Sequence, residues 1–143
     1  MTSPGEAVLI VLHRASASGG REFLVALRAP GARSRSYWSL ISGGVEDGES
    51  PVDAARRELE EETGLTAPLS WDEIPMSLGF EGDGGWVVLY VFSAETAASW
   101  EPTLDDEHVD YRWCDAESSL EVLFYEEPRA ALREVAGRLE AAT

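Results

Sequence analysis

Between Gly43 and Leu65 the chain carries eight carboxylates and only two arginines, and glycine frames the stretch at both ends. Few folds tolerate so much like charge in one short segment. Pro51 suits the first helical turn, where a missing N–H costs nothing. Ser50 before it is a good N-cap, and Asp53 three residues later completes a weak capping-box pattern. Gly64 is a natural stop. The spacing therefore predicts a helix over Pro51–Thr63, entered through a Gly43-Gly44 turn. Val52, Ala55 and Leu59 fall on one apolar stripe, and the small Ala54 and Ala55 allow close approach to a sheet. Glu58, Glu61 and Glu62 fall at i, i+3 and i+4 on a second face. Three neighbouring carboxylates repel one another and weaken a helix. A solvated charge run usually interleaves lysines, and this one has none. Arg57 is expected to point away from the cluster, pairing with Glu49 or holding the loop. Hard oxygen donors in this number suit Mg²⁺ or Mn²⁺, and the Gly43 carbonyl is a further candidate ligand. The competing reading is a Glu-rich surface helix.

The segment resembles the Nudix box. That pattern is Gly, five residues, Glu, seven residues, Arg-Glu, an aliphatic, one residue, Glu-Glu, one residue, Gly and an aliphatic. Gly43, Glu49, Arg57, Glu58, Leu59, Glu61, Glu62, Gly64 and Leu65 occupy all nine specified positions. The resemblance implies an α/β fold, the α/β/α sandwich with a mixed sheet. It also implies hydrolysis of a phosphoanhydride in a nucleoside polyphosphate, or in a nucleoside diphosphate linked to another group. Carried over by position, Glu58, Glu61 and Glu62 are the metal-binding carboxylates, with Glu61 and Glu62 also counted as catalytic. Glu49, Arg57 and Gly64 are then structural.

The remaining pattern agrees with that architecture. Ala7–His13 is a continuous apolar run and reads as a buried strand, and Phe23–Arg28 returns as a second. Tyr37–Ile41 is a short strand. Ala67–Phe80 reads as a strand interrupted by Pro68 and Pro75, marks of an edge or bulge. Trp86–Ala94 and Val109–Cys114 complete the strands. Ser118–Phe124 reads as a short helix and Pro128–Ala141 as a longer one, with Ala131, Leu132, Val135 and Leu139 on its apolar stripe. Strands with a central and a terminal helix make a mixed sheet with helices packed on its faces.

Composition narrows the class. A chain of 143 residues suits one domain, here 1–143. No apolar run reaches membrane-spanning length, and the N-terminus lacks a signal-type pattern. A cytoplasmic location is the expectation. The formal charge of −16 repels nucleic-acid backbones and anionic membranes. It repels a free nucleotide too, which favours a small metal-nucleotide complex as substrate. The single cysteine, Cys114, excludes an intramolecular disulfide and reads as packing.

Outside the box, Glu107 in Asp105-Asp106-Glu107-His108-Val109-Asp110-Tyr111-Arg112-Trp113 is the candidate extra metal ligand or base. That stretch resembles the corresponding part of dihydroneopterin triphosphate pyrophosphatases and asymmetric dinucleoside tetraphosphate hydrolases. Asp105 and Asp106 read as solvated loop, and His108 and His13 as structural. Arg28, Arg33 and Arg35 form the main positive cluster, with Arg28 and Arg35 the candidates to hold outer phosphates. Tyr37 and Trp86 are candidates to stack on a base, and Tyr125 is a rim candidate. Two further functions compete with hydrolysis. One is a catalytically inactive nucleotide-binding or regulatory module. The other, an isomerase of diphosphates, lacks a convincing cysteine–glutamate arrangement. Monomer and homodimer are both compatible with the chain.

Overall fold

The computed structural model describes residues 5–31 and 34–142. Its organising element is β1 (Gly5–Ala15), the apolar run read from sequence. Successive side chains on a strand face opposite ways. Val8, Ile10 and Leu12 therefore enter one core and Leu9 and Val11 another, and all five are buried. The first core is covered by α1 (Pro51–Thr63) through Ala54, Ala55 and Leu59. The second is covered by α3 (Glu126–Ala141) through Ala131, Leu132 and Val135, with Leu123 after α2 (Ala116–Val122). The result is the α/β/α sandwich.

The sheet is mixed. Its other strands are β2 (Arg21–Arg28), β3 (Trp38–Ser39), β4 (Ile41–Gly44), β5 (Ser70–Gly82), β6 (Gly85–Glu95) and β7 (His108–Cys114). β1 runs parallel to β6 along one edge. Its other edge is shared: β4 pairs antiparallel with Ala7–Ile10, and β2 takes over at His13–Ala15. β2 in turn carries β3 and β7. The sheet thus forks beside β1, and β4 delivers the chain from the fork into α1.

Several expectations change. Gly43 and Gly44 are strand residues paired with Val8 and Ala7, not a turn. The turn comes later, where Gly48 adopts φ 80° and the Glu49 N–H donates to the Glu46 carbonyl (3.0 Å). Tyr37–Ile41 splits into β3 and the start of β4. Val52 is exposed and leaves the apolar stripe, because Ala54, Ala55, Glu58, Leu59, Glu62 and Thr63 are the α1 residues that face inward. Ser50 and Gly64 cap α1 as read: Ser50 Oγ accepts the Asp53 N–H (3.2 Å), and Gly64 sits at φ 81°. The β5–β6 register shifts between Ile74 and Leu78, around Pro75. The ring's missing N–H cannot continue the ladder there.

His13, near the far end of β1, is buried and its Nδ1 has no partner among the described residues. Burial first, and then the Arg21 charge, lowers its pKa to about 4. A folded pKa below the unfolded value gives stability that is present above about pH 6.5 and lost as pH falls toward 4. Denaturant melts between about pH 7 and pH 4 should show up to about 3 kcal/mol of loss that His13→Leu removes.

Candidate active site

The site is assembled where β4 meets α1. Glu58, in the second turn of α1, turns toward the sheet and lays its carboxylate against the Gly43 backbone. Any Cβ at Gly43 would collide with that carboxylate. Arg57 pairs with Glu49 as expected, but contrary to expectation it does not point away from Glu58 and Glu61. Its Nε and Nη2 donate to the two Glu49 oxygens (2.8 and 2.9 Å), and its Nη1 donates to Glu58 Oε1 (2.7 Å) and Glu61 (3.4 Å). Nη2 also donates to the Gly44 carbonyl (2.9 Å). A planar fork suits this bidentate task better than an ammonium would. The Arg57 hydrogen bonds lower the Glu49 pKa to about 2, so that carboxylate stays charged and keeps the loop closed.

Glu62, one turn after Glu58, is fully buried, and neither carboxylate oxygen has a hydrogen-bond donor among the described residues. A buried carboxylate without donors is expensive. Burial first, then the adjacent Glu58 and the charges of Asp105 and Glu107, raises its pKa to about 10. Facing carboxylates cannot bond to each other without a proton or a cation between them. His108 Nε2 lies 3.5 Å from Glu62 Oε1 and has no hydrogen bond among the described residues, while Nδ1 lies 3.0 Å from Asp105 Oδ1. Asp105 is therefore a partner of His108, not solvated loop as expected. Glu61 is exposed at the rim.

These groups have the composition expected of a divalent-metal site: two close oxygen-donor carboxylates, one of them buried and orphaned, and a glycine notch that admits the other. Among the described residues, no three His, Cys, Asp or Glu side chains already form a cation cage.

The loop before β7 brings Glu107 to this end of the molecule. Its carbonyl accepts the Ala29 N–H (2.8 Å), and its own N–H donates to Asp105 Oδ1 (3.2 Å). Arg28 ends β2 opposite His108, and its N–H donates to the Tyr37 carbonyl (2.9 Å). Arg28, Tyr37 and Glu107 thus meet at the fork. Arg35 lies exposed in the loop before Tyr37, and Arg33 lies outside the described residues.

On the opposite face of the sheet a cleft of about 420 Å³ opens between β4 and the start of α3. Tyr37, Phe80, Tyr125 and Ser42 are among its lining residues. Tyr37 and Tyr125 meet edge to face at 5.1 Å. Trp86 is not in this cleft. Strand alternation puts it on the α1 side, where it covers Gly79. Ser42 and Gly43 are neighbours in β4, so one strand connects the aromatic cleft to the carboxylate pair.

Sequence reading missed the fastening of the Glu107 loop. Glu101 Oε1 accepts from Tyr111 Oη (3.1 Å) and Trp113 Nε1 (3.0 Å), and Oε2 accepts from Arg14 (2.7 Å). Arg14 stacks on Trp113 at 4.0 Å. Only the lone arginine in an apolar strand hinted at it. Farther along the loop, the Thr103 N–H donates to the Thr63 carbonyl (2.8 Å).

The family model described as the NUDIX domain matches residues 3–135. The chain belongs to the NUDIX domain family. An octanoyltransferase of Myxococcus xanthus is 36% identical over 107 residues, which span 73% of this chain and 29% of that protein. An asymmetrical bis(5'-nucleosyl)-tetraphosphatase of Mus musculus is 28% identical over 120 residues, covering 79% of this chain and 77% of that one. The solved binary complex of a C. elegans Ap4A hydrolase superposes with a TM-score of 0.81 over 96% of this chain and 98% of that chain, at 24% identity. That likeness establishes the shared fold.

Proposed function

We propose that the chain is a divalent-metal-dependent hydrolase that splits a phosphoanhydride in a nucleoside polyphosphate or a nucleoside diphosphate linked to another group. The observation that carries this reading is the buried Glu62 carboxylate, without a donor among the described residues, beside a Glu58 seated in the Gly43 notch. A cation is the partner such a pair lacks. Glu58 and Glu62 would hold the metal, Mg²⁺ or Mn²⁺, with Glu61, Glu107 and the Gly43 carbonyl as further donors. When bound, the metal supplies charge neutralisation on the phosphate oxygens and lowers the pKa of a bound water.

The chain's own residues do the rest. Arg57 keeps the loop and Glu58 in place while leaving Glu62 untouched. Glu107, at the rim, is the acceptor we assign to the proton of the attacking water. We assign Arg28 and Arg35 to the outer phosphates, a role that would admit an anion to an otherwise acidic protein. Tyr37 and Tyr125 offer the ring faces for a base. The mouse and C. elegans relatives, named for dinucleoside tetraphosphate hydrolysis, support a substrate of that type. A panel of dATP, dihydroneopterin triphosphate, an oxidised nucleotide and diadenosine tetraphosphate, each with Mg²⁺ and with Mn²⁺, tests the reading. Metal-dependent cleavage of at least one supports it. Tight binding without product across the panel would instead identify a binding module.

A further inference from the structure

We infer that Glu127 selects a nucleobase bearing an exocyclic amine, of the adenine type, in the cleft between β4 and α3. The inference rests on the proposed nucleotide reading and names the base for it. Among the described residues the cleft's charged lining residues are both acidic, Glu81 and Glu127, and no arginine lines it. The Glu127 carboxylate repels a polyphosphate that brings no cation with it. The uncharged end of a nucleotide meets no such repulsion, and a volume of about 420 Å³ leaves room for a nucleoside. The phosphates then lead out past Ser42 and Gly43 toward the Glu58–Glu62 pair.

Glu127 is the better placed of the two acids. It is half-buried in the first turn of α3, between Tyr125 and Pro128, which also line the cleft. Its carboxylate has no hydrogen-bond or ion-pair partner among the described residues, whereas the adjacent Glu126 is taken by Arg133 (2.9 Å) and Arg129 (3.5 Å). Glu81 is exposed at the other rim, and its strand position pairs it with Trp86. A carboxylate only accepts hydrogen bonds, so it rewards an N–H donor at the base edge. An aromatic ring stacked on the open face of Tyr37 or Tyr125, presenting such an amine to Glu127, satisfies both features of the cleft.

The test compares adenosine with purine riboside, which differs only in lacking the 6-amine, by calorimetry on chelator-treated protein. Neither nucleoside carries phosphate, so metal and turnover do not enter. Wild type should bind adenosine about tenfold more tightly, the value of one charge-assisted hydrogen bond. Glu127→Leu should bring the two within about twofold, and Glu127→Gln, which keeps one acceptor, should fall between. Equal binding of both nucleosides by wild type, no detectable binding of either, or an undiminished preference in Glu127→Leu overturns the inference. Mg²⁺-dependent hydrolysis by the same variants is scored separately. A wild-type protein that hydrolyses nothing yet prefers adenosine would refute the enzymatic reading and leave the base assignment standing.

Discussion

Glu62→Gln should abolish most hydrolysis while making the metal-free protein more stable. The two effects have one origin. Glu62 is a fully buried carboxylate with no donor among the described residues, next to a second carboxylate. Gln has the same shape, carries no charge and brings an N–H that Glu58 can accept. In chelator near pH 8 the melting temperature should rise by about 3–6 °C, the size of one or two kcal/mol in a chain this long. Turnover with Mg²⁺ should fall about 10³-fold, as expected when several kcal/mol of charge stabilisation is lost. Few substitutions separate stability from activity in opposite directions, and an ordinary buried polar residue would not. Calorimetric melts beside initial rates on the same preparations check both halves. A destabilised Glu62→Gln with full activity would remove the metal site from the account.

Gly43→Ala should be nearly silent in stability and severe in activity. Gly43 is not among the glycines at positive φ, so alanine fits its backbone. What an added methyl meets is the Glu58 carboxylate, the free end of a flexible side chain. That end can yield, so the melting temperature should move by no more than about 2–3 °C. Its new position would no longer face Glu62. Metal affinity should drop at least about tenfold, and turnover about 10²-fold, the cost of misplacing a catalytic group by an ångström. Isothermal titration with Mn²⁺ and rates at saturating metal separate the two. An alanine variant with unchanged metal affinity would show that the notch serves packing only.

The parts of the molecule that the residues made legible share a physical reason. Periodicity and caps act locally, so α1 runs between Ser50 and Gly64 as read, and the apolar run around Val8–Leu12 becomes the central strand. Pro75 marks the irregular register of β5 for the same local cause. What local pattern cannot carry is which side of a sheet a residue occupies and what crosses to it. Val52 fits a helical stripe, but the sheet approaches α1 from the side of Ala54, Ala55 and Glu58. Trp86 and Tyr37 were equivalent as aromatics, and only the β6 pairing separates them onto opposite faces. Arg57 pairs with Glu49 as its position suggests, yet its long side chain also reaches Glu58 and Glu61, which precedence by one residue does not foretell. The burial of Glu62 against His108, and the hold of Glu101 on the Glu107 loop, depend on strands far away in sequence. Spacing alone named three glutamates as equals. The structure separates a buried Glu62, a Glu58 seated against Gly43 and an exposed Glu61.

The central claim is that Glu58 and Glu62 form a metal site for hydrolysis of a phosphoanhydride. Its most direct measurement is product formation from diadenosine tetraphosphate and dATP by chelator-stripped protein, followed by chromatography as Mg²⁺ or Mn²⁺ is added back. The account predicts no cleavage in chelator and cleavage that rises with added metal to saturation. Cleavage that persists undiminished in chelator, or nucleotide that binds and stays intact at saturating metal, would contradict it.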